Sequence, residues 1–300
     1  MFLRSCGRVR SDGSRSTDVL FTVTEHITVM LRSASISECV SKHDNGLSLY
    51  TSSMQIIPVH TGILEKGDDL ASEILKNSRM ESGDILVISS KAVASIEGAS
   101  IALKNLVASP EAIKLSNDCD LDRSFIEAIL QETKRMNGLV AGTSPFALLT
   151  SLKPTGIKTG RILCPNAGMD QSNIDPGCAI GWPIDPVRSA KKLRQSLDIP
   201  VIISDSCCVP MRLGVTAFAL VCAGIEPLRS EIGTQDLFGK TMRVTYEAVA
   251  DQLSTAANAV MGNSAQCIPA AIIRNSGIPS SDFCGWVEGI EEGKDMFSGM

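Results

Sequence analysis

The feature that most constrains this chain is a series of short, almost wholly apolar runs: ILVIS (85–89), VIIS (201–204), TAFALVCAGI (216–225) and PAAII (269–273). Strands with one wet face alternate apolar and polar residues, whereas unbroken runs of this length read as buried strands. MQIIPVH (54–60) adds a shorter one, and FALLTSL (146–152) and RILCPN (161–166) read as paired strands across KPTGIKTG.

Segments with helical period lie between these runs. GDDLASEILKNS predicts a helix capped by Asp68 or Asp69, with Leu70, Ile74 and Leu75 on its apolar face. CDLDRSFIEAILQETKRM predicts another, with Phe125, Ile126, Ile129 and Leu130 inward. In DPVRSAKKLRQSL, Asp185 is the N-cap and Pro186 the first helical residue. EAVADQLSTAANAVMG presents Val249, Leu253, Ala256 and Val260, with Gly262 closing the helix. Strands alternating with helices place the chain in the α/β or α+β class, a mixed sheet with helices in one domain.

The 300 residues are 44% hydrophobic, ample for a core, and carry a net charge of -5 with 4% aromatics. That balance argues against a general nucleic-acid binder, which needs a basic face and stacking platforms. The ten cysteines are scattered without a C-x-x-C, as expected of free thiols in a reducing compartment. No apolar run approaches the ~18 residues of a membrane span, so the expected location is cytoplasmic. Residues 1–53 are rich in Ser and Arg, but Asp12, Asp18, Glu25, Glu38 and Asp44 count against a transit peptide. They read as a poorly structured extension, with the working body at 54–276 and a frayed tail at 277–300.

Three stretches invite chemistry. GTQDLFGKT (233–241) resembles a phosphate loop but has one residue too many and is followed by TMRVTYEA, which starts like a strand. It reads as a turn. In VIISDSCCVPMRLGV (201–215) the cysteine pair lacks the spacing and second pair of a zinc site. Asp205 and Ser206, carried to the carboxyl end of a strand, are hard-oxygen donors suited to Mg²⁺ or Mn²⁺, or else turn-capping groups. CPNAGMDQSNIDPG (164–177) sets Asn166, Asp170, Gln171, Ser172, Asn173 and Asp175 on a Gly-flanked loop. Such a loop is either a coordination or phosphate shell or a long polar turn.

Taken together, NAGMDQSN, strand-Asp-Ser, GIEPLR, DLFGK, VADQLSTAANAVMG and IPAAIIR resemble the coenzyme F-420:L-glutamate ligase family. VHTGILEKGDDLASEIL and GDILVISSKAVASIEG fit the same family in the same order, so the resemblance spans Met54 to Arg274. It implies a single mixed α/β ligase domain, assembled as an intertwined homodimer. It also implies GTP-dependent ligation: a carboxylate of the deazaflavin coenzyme precursor is phosphorylated, and the amine of L-glutamate displaces phosphate, with Mg²⁺ or Mn²⁺ required. Asp170, Asp205 and Ser206 match metal ligands, Ser206 standing where Thr is usual. Nucleotide contacts are implied at Ile63, Leu64, Ser90, Lys91 and Asn173, and along Met261, Gly262, Asn263, Ser264, Ala265, Gln266, Cys267 and Ile268. Arg212 is the implied anion contact, and no catalytic residue is assigned.

The chain also departs from the family pattern. Ser95 stands at a usual Lys; Cys208, Val209 and Leu213 replace a Gly and two basic positions; Gln252 replaces a Glu. Fewer cations weaken the hold on an anionic substrate, by ~1.5–3 kcal/mol per charged hydrogen bond. The departures leave two alternatives: a ligase-fold enzyme for a different acid or amino acid, or a non-catalytic binder of nucleotide and metal.

Overall fold

The computed structural model describes residues 53–295, so the expected extension at 1–53 lies outside the described residues except for Ser53, as does the end of the tail, 296–300. The central sheet contains β1 (Gln55–Val59), β2 (Ile85–Ser89), β8 (Val201–Cys208), β9 (Val215–Ala223), β12 (Ala270–Arg274) and β13 (Cys284–Trp286). Their order is β1-β12-β2-β8-β9-β13, with β2 and β8 parallel and every other pair antiparallel. A three-stranded antiparallel sheet joins β4 (Leu139–Ser144), β5 (Ala147–Leu152) and β6 (Ile162–Pro165). Two short pairs complete the strands: β3 (Ile101–Ala102) with β7 (Cys178–Ala179), and β10 (Arg229–Ser230) with β11 (Tyr246–Glu247).

The six helices among the described residues are α1 (Leu70–Asn77), α2 (Ser90–Ile96), α3 (Pro110–Leu115), α4 (Arg123–Arg135), α5 (Pro186–Leu197) and α6 (Val249–Met261). They explain the unbroken apolar runs. Leu86, Ile88, Val201, Ile203 and Ile272 enter one core, shared with Ile74 of α1, Ile126 and Ile129 of α4, and Leu193 of α5. Ile85, Val87, Ile202, Ala271 and Ile273 enter a second core beneath Val249, Leu253, Ala257 and Met261 of α6. Successive side chains of a strand point to opposite faces, and here both faces are covered. Each buried Ile, Leu or Val contributes about 1.5–3 kcal/mol. None of the helices among the described residues is long and apolar enough to cross a membrane.

Local chemistry sets the helix starts. Asp69, Asp122 and Asp185 accept hydrogen bonds from the backbone N–H groups of Ser72, Ser124 and Arg188, and Pro186 opens α5. Four expectations are corrected. Leu75 is 50% exposed, and α1 buries Leu70, Ala71 and Ile74 instead. The inward face of α6 is Val249, Ala250, Leu253, Ser254, Ala257 and Met261, one step round from the Ala256–Val260 stripe. β8 does not end at Asp205 but continues to Cys208, because β9 pairs with it as far as Cys208↔Val215. The tail is not frayed throughout: Cys284–Trp286 adds β13 to the sheet, and Trp286 is buried against Trp182 at a 6.2 Å centroid distance.

The segment 233–241 is a turn between β10 and β11, where Asp236 Oδ1 accepts the N–H groups of Phe238 and Lys240 at 2.9 and 2.8 Å. No helix stands behind it to bind phosphate.

Candidate active site

β1, β2 and β8 run in the same direction, so their carboxyl ends share one edge of the sheet with the start of β12. Ligands of open α/β sheets sit outside such an edge. The chain leaving β1 is tied to the segment before β12 by Thr61 N–H to Cys267 O at 3.0 Å, and Ser89 N–H at the end of β2 reaches Pro269 O at 2.9 Å.

β2 passes directly into α2, so Ser90 and Lys91 are the first two residues of a helix. Ser90 is buried, while Lys91 reaches out to the loop that precedes β7. Its ammonium pairs with Asp170 Oδ2 and donates to both the carbonyl and the hydroxyl of Ser172 at 2.9 Å. Asp170 is held by several partners although its side chain is half exposed. Its backbone N–H and C=O exchange hydrogen bonds with Ile180 at 2.8 and 2.9 Å. Oδ1 accepts the N–H groups of Gln171 and Ser172 at 2.6 and 2.9 Å, and Oδ2 accepts the Ser172 hydroxyl at 2.7 Å. Burial alone would raise the Asp170 carboxyl, but Lys91 and the N–H and hydroxyl of Ser172 hold it below the usual carboxylate range.

The loop takes this shape because Asn166, Ala167 and Gly168 all have positive φ, between 53° and 72°. Asn166 Oδ1 accepts Leu148 N–H at 2.9 Å, and Ala167 N–H donates to Thr150 Oγ1 at 3.0 Å, which anchors the turn to β5. A Cβ on Gly168 would lie 2.3 Å from Trp182 Nε1, so the indole passes over a position only glycine can fill.

Asp205 is the first β8 residue past its pairing with β2, which ends at Ser89↔Ser204. Although β8 continues, the carboxylate therefore stands at the edge of the sheet. Trp182 Nε1–H donates to Oδ2 at 2.6 Å, and Ser206 N–H donates to Oδ1 at 2.9 Å. Burial pushes the Asp205 carboxyl up to about 6, against the pull of Trp182, the Ser206 N–H and Lys91, while the charge of Asp170 adds to the rise. Lys91, Asp170 and Asp205 thus act on one another across three separate segments.

The donors suit a hard divalent cation. Among the described residues no three His, Cys, Asp or Glu side chains converge as a protein-only cage. Asp170, Asp205 and Ser206 instead offer oxygen donors only, and Asp205 is a half-buried carboxylate whose burial outweighs the pull of Lys91. Two carboxylates and a hydroxyl, with water or phosphate completing the shell, are a common way to hold Mg²⁺ or Mn²⁺.

The remaining sequence-derived positions are partly assembled. Asn173, at φ 53°, donates from Nδ2 to Ser264 O at 3.1 Å, which joins the Asp170 loop to the segment after α6. There Gly262 ends the helix at φ 70°, and Ser264 N–H donates to Gln266 Oε1 at 2.8 Å. Asn263, Ala265 and Cys267 are exposed beside them, Ile268 and Leu64 are half-buried, and Ile63 is exposed. Met261 is the exception, because its side chain belongs to the core under α6. Arg212 lies in the turn between β8 and β9, and no hydrogen bond joins it to Lys91, Asp170 or Asp205. Sequence reasoning missed Trp182 and Phe218 as parts of the site, and named Ser172 only as one of six polar residues on the loop. Phe218 pairs with Asp205 across the strands and stands edge-on to Trp182 at 6.4 Å. The only clue was that Trp182 is one of two tryptophans.

Comparison with known proteins places this geometry in a family. The family model for F420-0:gamma-glutamyl ligase matches residues 58–275. The chain belongs to the F420-0:gamma-glutamyl ligase family. It is similar to the coenzyme F420:L-glutamate ligase of Methanopyrus kandleri, 36% identical over 214 residues, 69% of this chain and 81% of that protein. The corresponding ligase of Archaeoglobus fulgidus is 33% identical over 228 residues, covering 74% and 87% of the two chains. That of Methanocaldococcus jannaschii is 34% identical over 233 residues, covering 75% and 89%. As a member of the F420-0:gamma-glutamyl ligase family the chain is a ligase, and the matched region contains Ile63, Lys91, Asp170, Asp205, Ser206 and the segment after α6.

Proposed function

We infer that this chain joins L-glutamate to the carboxylate of the coenzyme F420 precursor at the expense of GTP, through an acyl phosphate. The observation that carries this reading is the grouping of Lys91, Asp170 and Asp205 at the carboxyl edge of the sheet, beside segments tied together by the bonds from Asn173 to Ser264 and from Thr61 to Cys267.

A carboxylate is a poor acyl electrophile, and phosphorylation gives it a leaving group. The carboxylate oxygen bonds to the γ-phosphorus as the bond to GDP breaks. The amine of glutamate then attacks the acyl carbon, phosphate leaves, and the amine gives up its proton. Such transfers depend mostly on positioning and charge neutralisation. Asp170 and Asp205, with the Ser206 hydroxyl, would hold Mg²⁺ or Mn²⁺, which when bound neutralises phosphoryl oxygens. Lys91 supplies a second positive charge and, through Ser172, fixes the Asp170 loop. Trp182 donates to Asp205 Oδ2 and fixes its orientation. The tie between Asn173 and Ser264 and the strand-exit segment at Ile63 and Leu64 form the rim suited to the nucleotide.

We also propose a homodimer. The arm between β10 and β11 carries Leu237, Phe238 and Val244 at 94, 96 and 82% exposure, more apolar surface than a lone protomer usually leaves in water. A second reading, a ligase for a less anionic acid, draws support from the β8–β9 turn, where Val209, Met211 and Leu213 are exposed and Arg212 is the one charged side chain.

Precursor labelled with ¹⁸O in its carboxylate tests both function and route. Transfer of one label to inorganic phosphate, dependent on glutamate and GTP, supports the acyl phosphate. Product without label transfer contradicts that route, and absence of product with this acid but turnover with another favours the second reading.

A further inference from the structure

We propose that Asp251 and Thr255, on the helix covering the opposite face of the sheet, are positioning residues that set the register of β9 and thereby aim Asp205. The proposal rests on reading Asp205 as a cation ligand.

β13 accompanies β9 only part of the way. Its last pair is Trp286↔Val221, followed by one further bond from Val287 N–H to Leu220 O at 2.9 Å. Beyond that, no strand among the described residues lies beside the outer edge of β9, and α6 takes over. Asp251 Oδ1 accepts Ala219 N–H at 2.8 Å, and the Thr255 hydroxyl donates to Ala217 O at 2.9 Å. The two side chains lie one helical turn apart, about 6 Å of rise, and their targets lie two residues apart, about 6.8 Å of strand. The helix thus presents a donor and an acceptor at the spacing of a missing strand.

The place where it does so matters. β8 and β9 pair Ile203↔Val221 and then Ser204↔Ala219, leaving Leu220 as an extra residue. A bulge of this kind decides which β9 side chains share a face with Asp205. With the bulge, Phe218 stands opposite Asp205 and edge-on to Trp182, the donor to Asp205 Oδ2. Shifting the register by one residue would bring Ala219 opposite Asp205 and send Phe218 to the other face. Asp251 grips Ala219, the first paired residue after the bulge. Burial raises the Asp251 carboxyl, with the Ala219 N–H opposing it, and no cation pairs with it among the described residues. Its part is therefore that of an acceptor, which an amide oxygen can fill.

The test reads Trp182 directly. The indole N–H resonance of Trp182, assigned with Trp286→Phe, reports the bond to Asp205 without metal or substrate, and Mn²⁺ affinity by calorimetry reports the consequence. Asp251→Ala and Thr255→Val should each move the Trp182 resonance upfield and weaken Mn²⁺ about ten-fold or more, as loss of a supporting partner does. Asp251→Asn should keep both near wild type. An unmoved Trp182 resonance and unchanged Mn²⁺ affinity in Asp251→Ala and Thr255→Val, with only a lowered Tm, would overturn the proposal. Should Asp251→Ala fail to fold, Thr255→Val and Asp251→Asn decide by the same resonance. Wild-type protein that binds no Mn²⁺ would refute the cation reading of Asp205, while the Trp182 resonance still decides the register.

Discussion

Trp182 Nε1–H donates to Asp205 Oδ2 at 2.6 Å, linking the segment after β7 to the strand where the sheet opens. The bond partly offsets the cost of burying an ionised carboxylate whose pKa is pushed up to about 6. Trp182→Phe keeps the ring and removes the donor, so the Asp205 pKa should rise further. Mn²⁺ binding to the wild type should weaken as pH falls through about 6, and in Trp182→Phe the same loss should begin at higher pH. Calorimetric titrations across pH check this; coincident pH profiles would count against it.

Because folding raises the Asp205 pKa from 3.8 to about 6, the native state binds the proton more tightly than the unfolded chain. The ionised group therefore costs stability, and the cost develops as pH rises across that window and is complete above it. Asp205→Asn should be inactive yet more stable at pH 7 by about 2 kcal/mol, from a shift worth about 3 less about 1 for the altered hydrogen bond to Ser206. At pH 3.5 the shift contributes almost nothing and only the altered hydrogen bond remains, so the variant should be about 1 kcal/mol less stable than wild type. Denaturant melts at the two pH values provide the comparison.

Gly168 meets both conditions that exclude a side chain: φ is +72°, and a Cβ would sit 2.3 Å from Trp182 Nε1. Gly168→Ala should cost about 2–4 kcal/mol through overpacking and backbone strain and should perturb tryptophan fluorescence. A thermal melt superimposable on wild type would show that the loop has room to move.

Lys91→Met removes the cation from Asp170 while keeping most of the side-chain length. Turnover should fall about 10–100-fold, the worth of one charged hydrogen bond, with the fold intact by circular dichroism. Turnover within two-fold of wild type would remove Lys91 from the site.

At the other edge of the sheet, Arg274 donates to both oxygens of buried Asp84, from Nε at 2.9 Å and from Nη2 at 2.8 Å. Arg274→Met leaves Asp84 uncompensated and should cost about 3–5 kcal/mol. Activity per folded molecule should persist, because this pair lies at the end of β12 away from Asp205.

Burial on both faces made the strands ILVIS, VIIS and PAAII legible as unbroken apolar runs, and side-chain oxygens at Asp69, Asp122 and Asp185 made helix starts legible from local chemistry. The far half of β8 was not legible, because Asp205–Cys208 is extended by its hairpin partner rather than by apolar burial. β13 was missed because Cys-Gly-Trp is too short to carry a period. Motifs carried Asp170, Asp205 and Asn173. The contacts that define the site span 79 residues from Lys91 to Asp170 and 23 from Trp182 to Asp205. Only the order of strands brings such residues together, and no local pattern encodes that order.

The most direct measurement of the central claim is the mass of the coenzyme precursor after incubation with GTP, Mn²⁺ and L-glutamate. Wild-type protein should add at least one glutamyl residue, and Asp170→Asn and Asp205→Asn should add none while remaining folded. An unchanged mass with folded wild-type protein, or equal mass gain in the two Asn variants, would contradict the account.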